Sequence, residues 1–458
     1  MKRLRLTVGN GHGLAALLDQ GSHDEADRAQ DEHDQDTRGD SDASLHPDDC
    51  DSKRESRAGW WRDVIKSALP AHPKADEVLF DHPVILAAVE AIEHETRTGE
   101  KVLVFGRFTR PMRVLVNLLN AREMLARLEK EQSWPRAKVH ESERPAVLAA
   151  LRQLKSERKL DQIDLALGKG YEQQSREREE LRERLLERID RGLPTAASRP
   201  RALLDALRAA SGAPSSGTSD ERDPLVLVAR ALSEHVSGTA SDSDWGTAFT
   251  ELMEAVTDRD EGDADGDGQL DPQEAKSLWG VINKRLAEEF ERPEGGFARL
   301  MNGKTRQESR RMLQLAFNRA NSFPRVLVAQ SLVGREGLNL HRACRTVVLL
   351  HPEWNPGVVE QQIGRVDRVG SLWETLMKAH TEGDVPRIKV RPVVFRGTYD
   401  EHNWRVLRAR WDDYRAQLHG VVVPSRLATD DAEGNELVEQ LARSAPNFSP
   451  AKVAGSQG

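Results

Sequence analysis

The chain has 458 residues, of which 38% are hydrophobic, 31% charged and 5% aromatic. This length accommodates two or three domains, and so few aromatic residues argue for long helical or disordered stretches rather than a β-sandwich. The net charge of −8 excludes a generally basic surface for nucleic acid. It leaves room for a local basic groove, because attraction depends on where charges lie as well as on their sum.

Cys50 and Cys344 are the two cysteines, and their spacing fits neither a disulfide framework nor a metal site. The N-terminal stretch has no long apolar run or small-residue cleavage site of the kind that a signal peptide needs. No segment is apolar for long enough to cross a bilayer. We therefore expect a soluble cytoplasmic protein that does not enter membranes.

The chain opens with a segment, residues 1–58, that we predict to be a disordered acidic leader. Residues 21–56 are rich in Asp and Ser and nearly free of large apolar side chains, so they cannot bury enough surface to offset the entropy of ordering. Two interpretations stay open for this leader, a solvated segment and an acidic interaction tail. A polar tail at residues 428–458 is likewise predicted to be disordered.

Two separated blocks, residues 59–120 and 297–427, carry apolar runs that alternate with helical periodicity. Such alternation predicts an α/β fold, a parallel sheet with helices on both faces. Residues 121–296 between the blocks are predicted to be a large, mostly helical insertion. The predicted elements of the blocks are strands at Lys101–Phe108, Phe297–Leu300, Arg325–Ala329, Arg345–Leu350 and Arg391–Arg396, and helices over TRQESRRMLQLAFNRA, Pro356–Val366 and Tyr399–Leu418.

The strongest functional signal is a pair of motifs, SLVGREGLNL at Ser331–Leu340 and QQIGRVDRVG at Gln361–Gly370. Glycines in the first motif let backbone approach a ligand closely. In the second, Arg365 and Arg368 are spaced i, i+3, which on one helix aims two guanidinium groups at a common anion. Phosphate is the anion that such planar forks suit best.

These motifs resemble motifs V and VI of superfamily 2 helicases, and HPEWNP between them resembles the WNP stretch of Swi/Snf-type enzymes. KVLVFGRF resembles motif IV. The resemblance covers roughly residues 75–120 and 297–420, and bacterial RapA-like translocases and DISARM-type phage-defence helicases are similar. It implies a RecA-like C-terminal helicase lobe interrupted by the insertion.

The resemblance also implies roles for individual residues. Arg365 and Arg368 would be arginine fingers, catalytic groups that stabilise the charge that develops on the γ-phosphate of ATP. Nucleotide sensing and coupling would fall to Gln361, Gly364, Gly334, Glu336, Gly337 and Asn339. Nucleic-acid contacts would come from Arg107, Thr109, Arg110, Trp354 and Asn355. Gln362 stands where the family often has Arg.

A nucleotide-holding lobe is not recognisable in the sequence. Gly303-Lys304-Thr305 forms a GKT triplet, but Ala298 stands where a P-loop needs its first glycine. We interpret the triplet as a helix-capping turn. ATP and Mg²⁺ would therefore be held by an N-terminal helicase lobe or an upstream gene product, and we do not expect this chain to hydrolyse ATP alone.

A second motif lies in the insertion and resembles an EF-hand calcium loop. Its predicted metal ligands are Asp263, Asp265, Asp267, Gln269 through its carbonyl, Asp271 and Glu274. The helix that should enter such a loop is broken near Gly262, and no partner loop is visible. Calcium binding and an acidic loop that caps a helix both stay open.

Two functional hypotheses follow. The favoured one is the C-terminal lobe of an ATP-dependent DNA helicase or translocase that acts on DNA, most simply duplex DNA, with a separate ATP-binding lobe. The alternative is a non-catalytic scaffold that binds nucleic acid or protein and carries a calcium loop.

Overall fold

A computed structural model describes the chain from residue 79 to residue 441 with gaps. The described residues are 79–132, 134–196, 198–211, 224–236, 240–258, 261–262, 269–290, 296–320, 322–331, 338–353, 355–381, 383, 385–397, 399–419, 434, 436–437 and 439–441. The predicted leader at residues 1–58 and most of the predicted tail lie outside them.

Five parallel strands form one sheet in the order β2-β3-β1-β4-β5. Every residue of the central strand β1 is buried, which explains why Val102–Phe105 are continuously apolar rather than alternating. The predicted α/β fold with a parallel, RecA-like sheet is confirmed. The strands are β1 Lys101–Gly106, β2 Ala298–Met301, β3 Val326–Gln330, β4 Cys344–Leu349 and β5 Lys389–Pro392.

Twelve helices among the described residues surround and extend the sheet. They are α1 Pro83–Arg97, α2 Thr109–Glu129, α3 Arg144–Leu154, α4 Leu160–Gly192, α5 Arg199–Ser211, α6 Pro224–His235, α7 Asp242–Val256, α8 Pro272–Phe290, α9 Gln307–Phe317, α10 Pro356–Ile363, α11 Leu372–Ala379 and α12 Tyr399–His419. None of the helices in this described part is long and apolar enough to cross a membrane.

Helices cover both faces of the sheet because successive side chains of a strand point to opposite faces. Val102 and Val104 of β1 lie in one core with apolar side chains of α1, α2 and α3. Leu103 and Phe105 lie in another with side chains of α9, α10 and α12. Alternate side chains of β1 therefore contribute to the apolar cores on the two faces of the sheet.

The helices of the predicted insertion divide between two cores. The predicted start of the insertion at residue 121 falls inside α2, and α3 and the first part of α4 (Ile163, Leu167) pack in the core of the sheet. A separate core begins at Leu185 in α4 and continues through α8 to Leu286. The independent helical unit, which we call the helical subdomain, therefore begins in the middle of α4.

Two helices of this subdomain touch through glycines. A side chain at Gly192 of α4 would stand 2.8 Å from the Gly246 nitrogen, and one at Gly246 of α7 would stand 2.9 Å from the Gly192 Cα. Side-chain carbon atoms do not approach backbone so closely. Glycine at both positions lets the two helix backbones meet.

The helical subdomain docks on the sheet lobe beside α9. Met312 of α9 packs in the subdomain core, and ion pairs surround this contact. Four pairs place an arginine on the lobe and a carboxylate on the subdomain: Arg299–Glu289, Arg306–Glu288, Arg311–Asp258 and Arg319–Glu251. This complementary pattern holds the subdomain against the helix that precedes β3.

Lys101 is buried at the amino end of β1, with 1% of its surface exposed. Its Nζ donates to the Ala316 carbonyl at 3.0 Å and to Ser322 Oγ at 3.2 Å, and it lies 5.3 Å from the centre of the Phe317 ring. Burial, with a smaller contribution from Arg325, lowers the pKa of Lys101 to about 7. The ammonium group is therefore held where its charge is costly.

Lys101→Met should flatten the pH dependence of stability above neutrality. In the unfolded chain the lysine pKa is about 10.4, so the folded chain binds fewer protons above about pH 7 and its stability rises with pH. Between about pH 7 and about pH 9 the free energy of unfolding of the wild type should rise by about 2 kcal/mol relative to that of Lys101→Met, since one pKa unit corresponds to about 1.4 kcal/mol. Urea titrations measure this difference. The Ala316 carbonyl keeps a donor in the variant, because Ser322 Oγ also bonds to it.

The control for this measurement is Lys276→Met, which removes an exposed lysine of α8. The difference in free energy of unfolding between Lys276→Met and the wild type should stay constant over the same pH range. A constant difference for Lys101→Met as well would show that Lys101 is not the group that titrates.

Candidate functional site

Those predicted nucleotide- and nucleic-acid-site residues that the structure describes lie at one edge of the sheet. Because all five strands are parallel, their carboxyl ends lie along the same edge, where ligands of such sheets commonly bind. Arg107, Thr109 and Arg110 follow β1, the Ser331–Leu340 motif follows β3, and Asn355 with the Gln361–Gly370 motif follows β4. We call this the carboxyl edge.

Gly106 at the end of β1 is the most crowded point of this edge. Its carbonyl accepts the Ser331 N–H at 2.9 Å and the Ser331 hydroxyl at 3.2 Å. A side chain at position 106 would stand 2.7 Å from Met112 Cγ and 3.2 Å from Nδ1 of His351. His351 Nδ1 in turn accepts the Arg107 N–H at 3.3 Å. The segments after β1, β3 and β4 therefore meet here in direct contact.

Gln362 belongs to the interior of this edge. It is 3% exposed, and its Nε2 donates to Ser331 Oγ at 3.2 Å. Gln361, its neighbour, is exposed. The residue that departs from the family pattern thus connects α10 to the end of β3.

The helix that carries the second motif is shorter than predicted. α10 ends at Ile363, Gly364 is its C-cap, and residues 364–370 form turns. The prediction that Arg365 and Arg368 share one helix is therefore wrong. Glycine disfavours continued helix and commonly stands at helix ends, which explains the early termination.

Arg365 is turned into the protein. It is 7% exposed, its Nη1 donates to the Leu338 carbonyl at 3.5 Å, and its own carbonyl accepts the Leu340 N–H at 3.2 Å. Burial, and then the neighbouring charge of Arg368, lower the pKa of Arg365. This arginine joins the turn after α10 to the end of the first motif.

Arg368 is exposed at the same turn. Its Nη1 donates to Asn339 Oδ1, and its Nε donates to the Gly364 carbonyl at 3.4 Å. The structure therefore brings together three of the predicted site residues, Arg368, Asn339 and Gly364. The guanidinium is anchored on one side and open to solvent on the other.

Asn318, the C-cap of α9, is a site residue that the sequence reasoning missed. Its Nδ2 donates to the Asn339 carbonyl at 2.6 Å, and its Oδ1 accepts the Arg342 N–H at 3.1 Å. These two bonds hold residues 339–342, at the end of the first motif and just beyond it, against α9. A polar residue at a helix end gives no sequence signal for a contact so far along the chain.

The remaining predicted residues have mixed outcomes. Asn355 is the N-cap of α10, its Oδ1 accepting the Gly357 N–H at 2.9 Å, and Thr109 and Arg110 begin α2. The guanidinium of Arg107 lies 5.7 Å from the Phe108 ring centre. Gly334, Glu336, Gly337 and Trp354 lie outside the described residues.

The GKT triplet forms the turn between β2 and α9. Asn302 Oδ1 accepts the Lys304 N–H at 3.0 Å, and Thr305 Oγ1 accepts the Asn302 N–H at 3.0 Å. The triplet thus forms the turn that precedes α9. It was predicted to be a helix-capping turn, but the N-cap of α9 is Arg306, which makes no side-chain capping hydrogen bond.

The acidic loop is described only at its end. Asp271 Oδ1 accepts the N–H groups of Gln273 and Glu274 at 2.7 and 2.8 Å, and Glu274 Oε2 accepts the Asp271 N–H at 3.0 Å. These reciprocal bonds cap α8. Asp263, Asp265 and Asp267 lie outside the described residues, within which no group of three His, Cys, Asp or Glu side chains could hold a metal.

Asn318→Ala should loosen residues 339–342. Losing two hydrogen bonds and leaving the Arg342 N–H without its acceptor costs about 1–3 kcal/mol. Amide exchange of a peptide that spans residues 338–343 should therefore accelerate about 5- to 150-fold in hydrogen–deuterium exchange. Gln314→Ala on the same helix is the matched control. Equal exchange in both variants would show that the Asn318 side chain does not hold this stretch.

Comparisons with known proteins agree with this geometry over part of the chain. Residues 278–370 match the family described as helicase conserved C-terminal domain. Two Arabidopsis thaliana proteins, SNF2 domain-containing protein CLASSY 4 and CLASSY 3, are 38% and 37% identical over 90 residues, which is 20% of this chain. The matched stretch spans 8% and 6% of those two proteins.

Among solved structures, the C-terminal part of the Fun30 ATPase domain aligns with 58% of this chain and 92% of its own. The sequence identity is 11% and the TM-score 0.20. The family match ends at Gly370, so it includes β2, α9, β3, β4, α10 and both candidate arginines. Residues 278–370 of this chain are thus similar to helicase C-terminal domains, and both proteins that match over 90 residues are SNF2 domain-containing proteins.

Proposed function

We propose that this chain is the C-terminal lobe of an ATP-dependent DNA helicase or translocase, and that Arg368 is the arginine finger that it presents to ATP on another lobe. The observation that carries this proposal is the position of Arg368 at the carboxyl edge, anchored by Asn339 and Gly364 and open to solvent. An anchored guanidinium needs little reorganisation when charge develops on a phosphoryl group.

Arg365 has a different part in the proposal. Its guanidinium is buried against the Leu338 carbonyl, so in this conformation it cannot touch a ligand bound at the surface. Arg365 positions the turn that presents Arg368. It becomes a second finger only if contact with the ATP-binding lobe draws it away from Leu338.

The same edge supports contact with DNA. Arg107 and Arg110 flank the start of α2, whose N-terminal N–H groups face the carboxyl edge as well. Arginine side chains and helix N-termini are common phosphate ligands. Such contacts position a strand without reading its sequence, as translocation requires.

Arg368→Ala should abolish most ATP hydrolysis by the assembled enzyme. With an SNF2-type N-terminal lobe supplied in trans and duplex DNA present, kcat should fall about 10³-fold or more, since an arginine finger contributes about 10³–10⁵. Thermal unfolding of the chain should be nearly unchanged, because Arg368 is exposed. Arg365→Ala should lower both kcat and thermal stability.

The control is Arg113→Ala, which removes an exposed arginine of α2. ATP hydrolysis that survives in Arg368→Ala at the level of this control contradicts the finger assignment. If the wild-type chain does not stimulate ATP hydrolysis by the N-terminal lobe, the result favours the non-catalytic scaffold.

Calcium binding by the acidic loop is a second, separate proposal. It is supported by the spacing of acidic residues at loop positions 1, 3, 5, 9 and 12 and by the described end of the loop, where Asp271 and Glu274 stand at the start of α8. The capping bonds that these two residues make are compatible with both interpretations of the loop.

Calorimetric titration with Ca²⁺ separates the two interpretations. If the loop binds calcium, the wild type should show one site and Asp263→Asn should weaken it at least about 100-fold, since each carboxylate removed from such a loop lowers affinity. If the loop only caps α8, no heat of binding appears. Asp271→Ala then costs about 1 kcal/mol of stability whether or not calcium is present.

A further inference from the structure

A basic pocket lies at the opposite edge of the sheet, where the strands begin. It has a volume of about 620 Å³ and is lined by Arg345, Leu376, Val385, Pro386, Arg387 and Lys389. Arg345 is the second residue of β4 and Lys389 is the first of β5. We call it the amino-edge pocket.

Positive charge around this pocket exceeds negative charge among the described residues. Glu100 bonds to Arg345, and Glu95 accepts from Lys389 Nζ at 2.6 Å and from Arg391 Nη2 at 3.0 Å. Burial raises the pKa of Glu95, but the bonds to Lys389 and Arg391 outweigh it and leave the pKa lowered. Two ionised carboxylates thus face the three cations that they hold.

Arg387 is a fourth cation at the pocket. Its backbone carbonyl accepts a bond from Arg345 Nη1 at 3.5 Å, which fixes the strand that carries it. Its side chain is exposed and has no ion-pair partner within the described part of the chain. Counted over the residues that the structure describes, the pocket therefore retains a net positive charge that an anion can neutralise.

The rim of the pocket is apolar. Val385 is 49% exposed and Met377 of α11, next to Leu376, is 37% exposed. Trp373 Nε1 donates to the Pro386 carbonyl at 3.0 Å, so α11 and the segment before β5 form one wall.

The chain itself contains a strongly acidic segment of complementary charge. Residues 21–51 carry twelve acidic side chains and two arginines. Their net charge of −10 exceeds that of the whole chain, which is −8. The remaining residues are therefore net positive, and a segment so charged is attracted to a basic patch nearby.

We propose that the acidic segment, residues 21–51, docks in the amino-edge pocket of the same chain. The 27 residues between Asp51 and Leu79 reach up to about 90 Å when extended. α1 runs from near Leu79 to the amino edge, where β1 begins, and its 15 residues cover only about 22 Å. The connection is long enough, and tethering raises the effective concentration of the segment.

The test uses a fluorescent synthetic peptide of residues 21–51 and a chain that lacks residues 1–56. Binding of the peptide to this chain is measured by fluorescence anisotropy at low salt. Arg387→Glu should weaken binding at least about tenfold, because it replaces an attraction with a repulsion. Adding salt should also weaken it. The full chain should bind the peptide more weakly than the truncated chain does, since its own segment competes.

Arg113→Glu on α2 is the matched control, because it reverses an exposed charge near the carboxyl edge. Weakening by Arg113→Glu and not by Arg387→Glu would place the acidic segment at the other edge and overturn the proposal. Absence of peptide binding, or equal binding of the peptide to the full and the truncated chain, would also overturn the proposal. So would an Arg387→Glu variant that binds duplex DNA more weakly but binds the peptide as the wild type does.

Discussion

The carboxyl end of β1 has no room for a side chain at Gly106 unless Met112 shifts, and the carboxyl edge of the sheet is organised around that constraint. Gly106 accepts two bonds from Ser331 and lies against Met112 and His351. Because the segments after three neighbouring strands contact one another here, the loops that carry the two motifs emerge side by side. A wider separation would leave Gln362 without Ser331 as its acceptor.

The two candidate arginines beside this contact have different environments. Arg365 is buried and joins the two motifs, whereas Arg368 is exposed and is oriented by Asn339. Asn339 is itself held by Asn318 at the end of α9. α9 also receives the helical subdomain through Met312 and the ion pair of Arg311 with Asp258. The insertion is thus packed on the helix that supports the first motif, so a change in its packing is transmitted to that helix directly.

The sequence predicted the parts of the fold that depend on local pattern. Continuous apolar runs such as Val102–Phe105 indicated buried parallel strands because they are short and rich in β-branched and aromatic residues. The paired motifs were recognisable for the same reason, since glycine and arginine spacing is local. The end of α10 was mispredicted because the apolar periodicity continues to Val366, while Gly364 ends the helix.

Contacts that depend on tertiary structure could not be predicted. The carboxylates of the helical subdomain, such as Glu289 and Glu251, are indistinguishable in sequence from solvated charges until their arginine partners are brought to them. The inward orientation of Gln362 and the hydrogen bonds of Asn318 to residues 339 and 342 likewise depend on which segments the fold brings together. Burial of Lys101 was equally unpredictable, since a lysine at the start of a strand is normally exposed.

The proposed function requires that this lobe close on ATP that another lobe holds. The most direct measurement is the affinity of the chain for an SNF2-type N-terminal lobe, with and without a non-hydrolysable ATP analogue. If Arg368 contacts the γ-phosphate, the analogue should tighten association about tenfold or more, and Arg368→Ala should remove that gain, since each factor of ten is about 1.4 kcal/mol. An affinity that is the same with and without the analogue would contradict the proposed function.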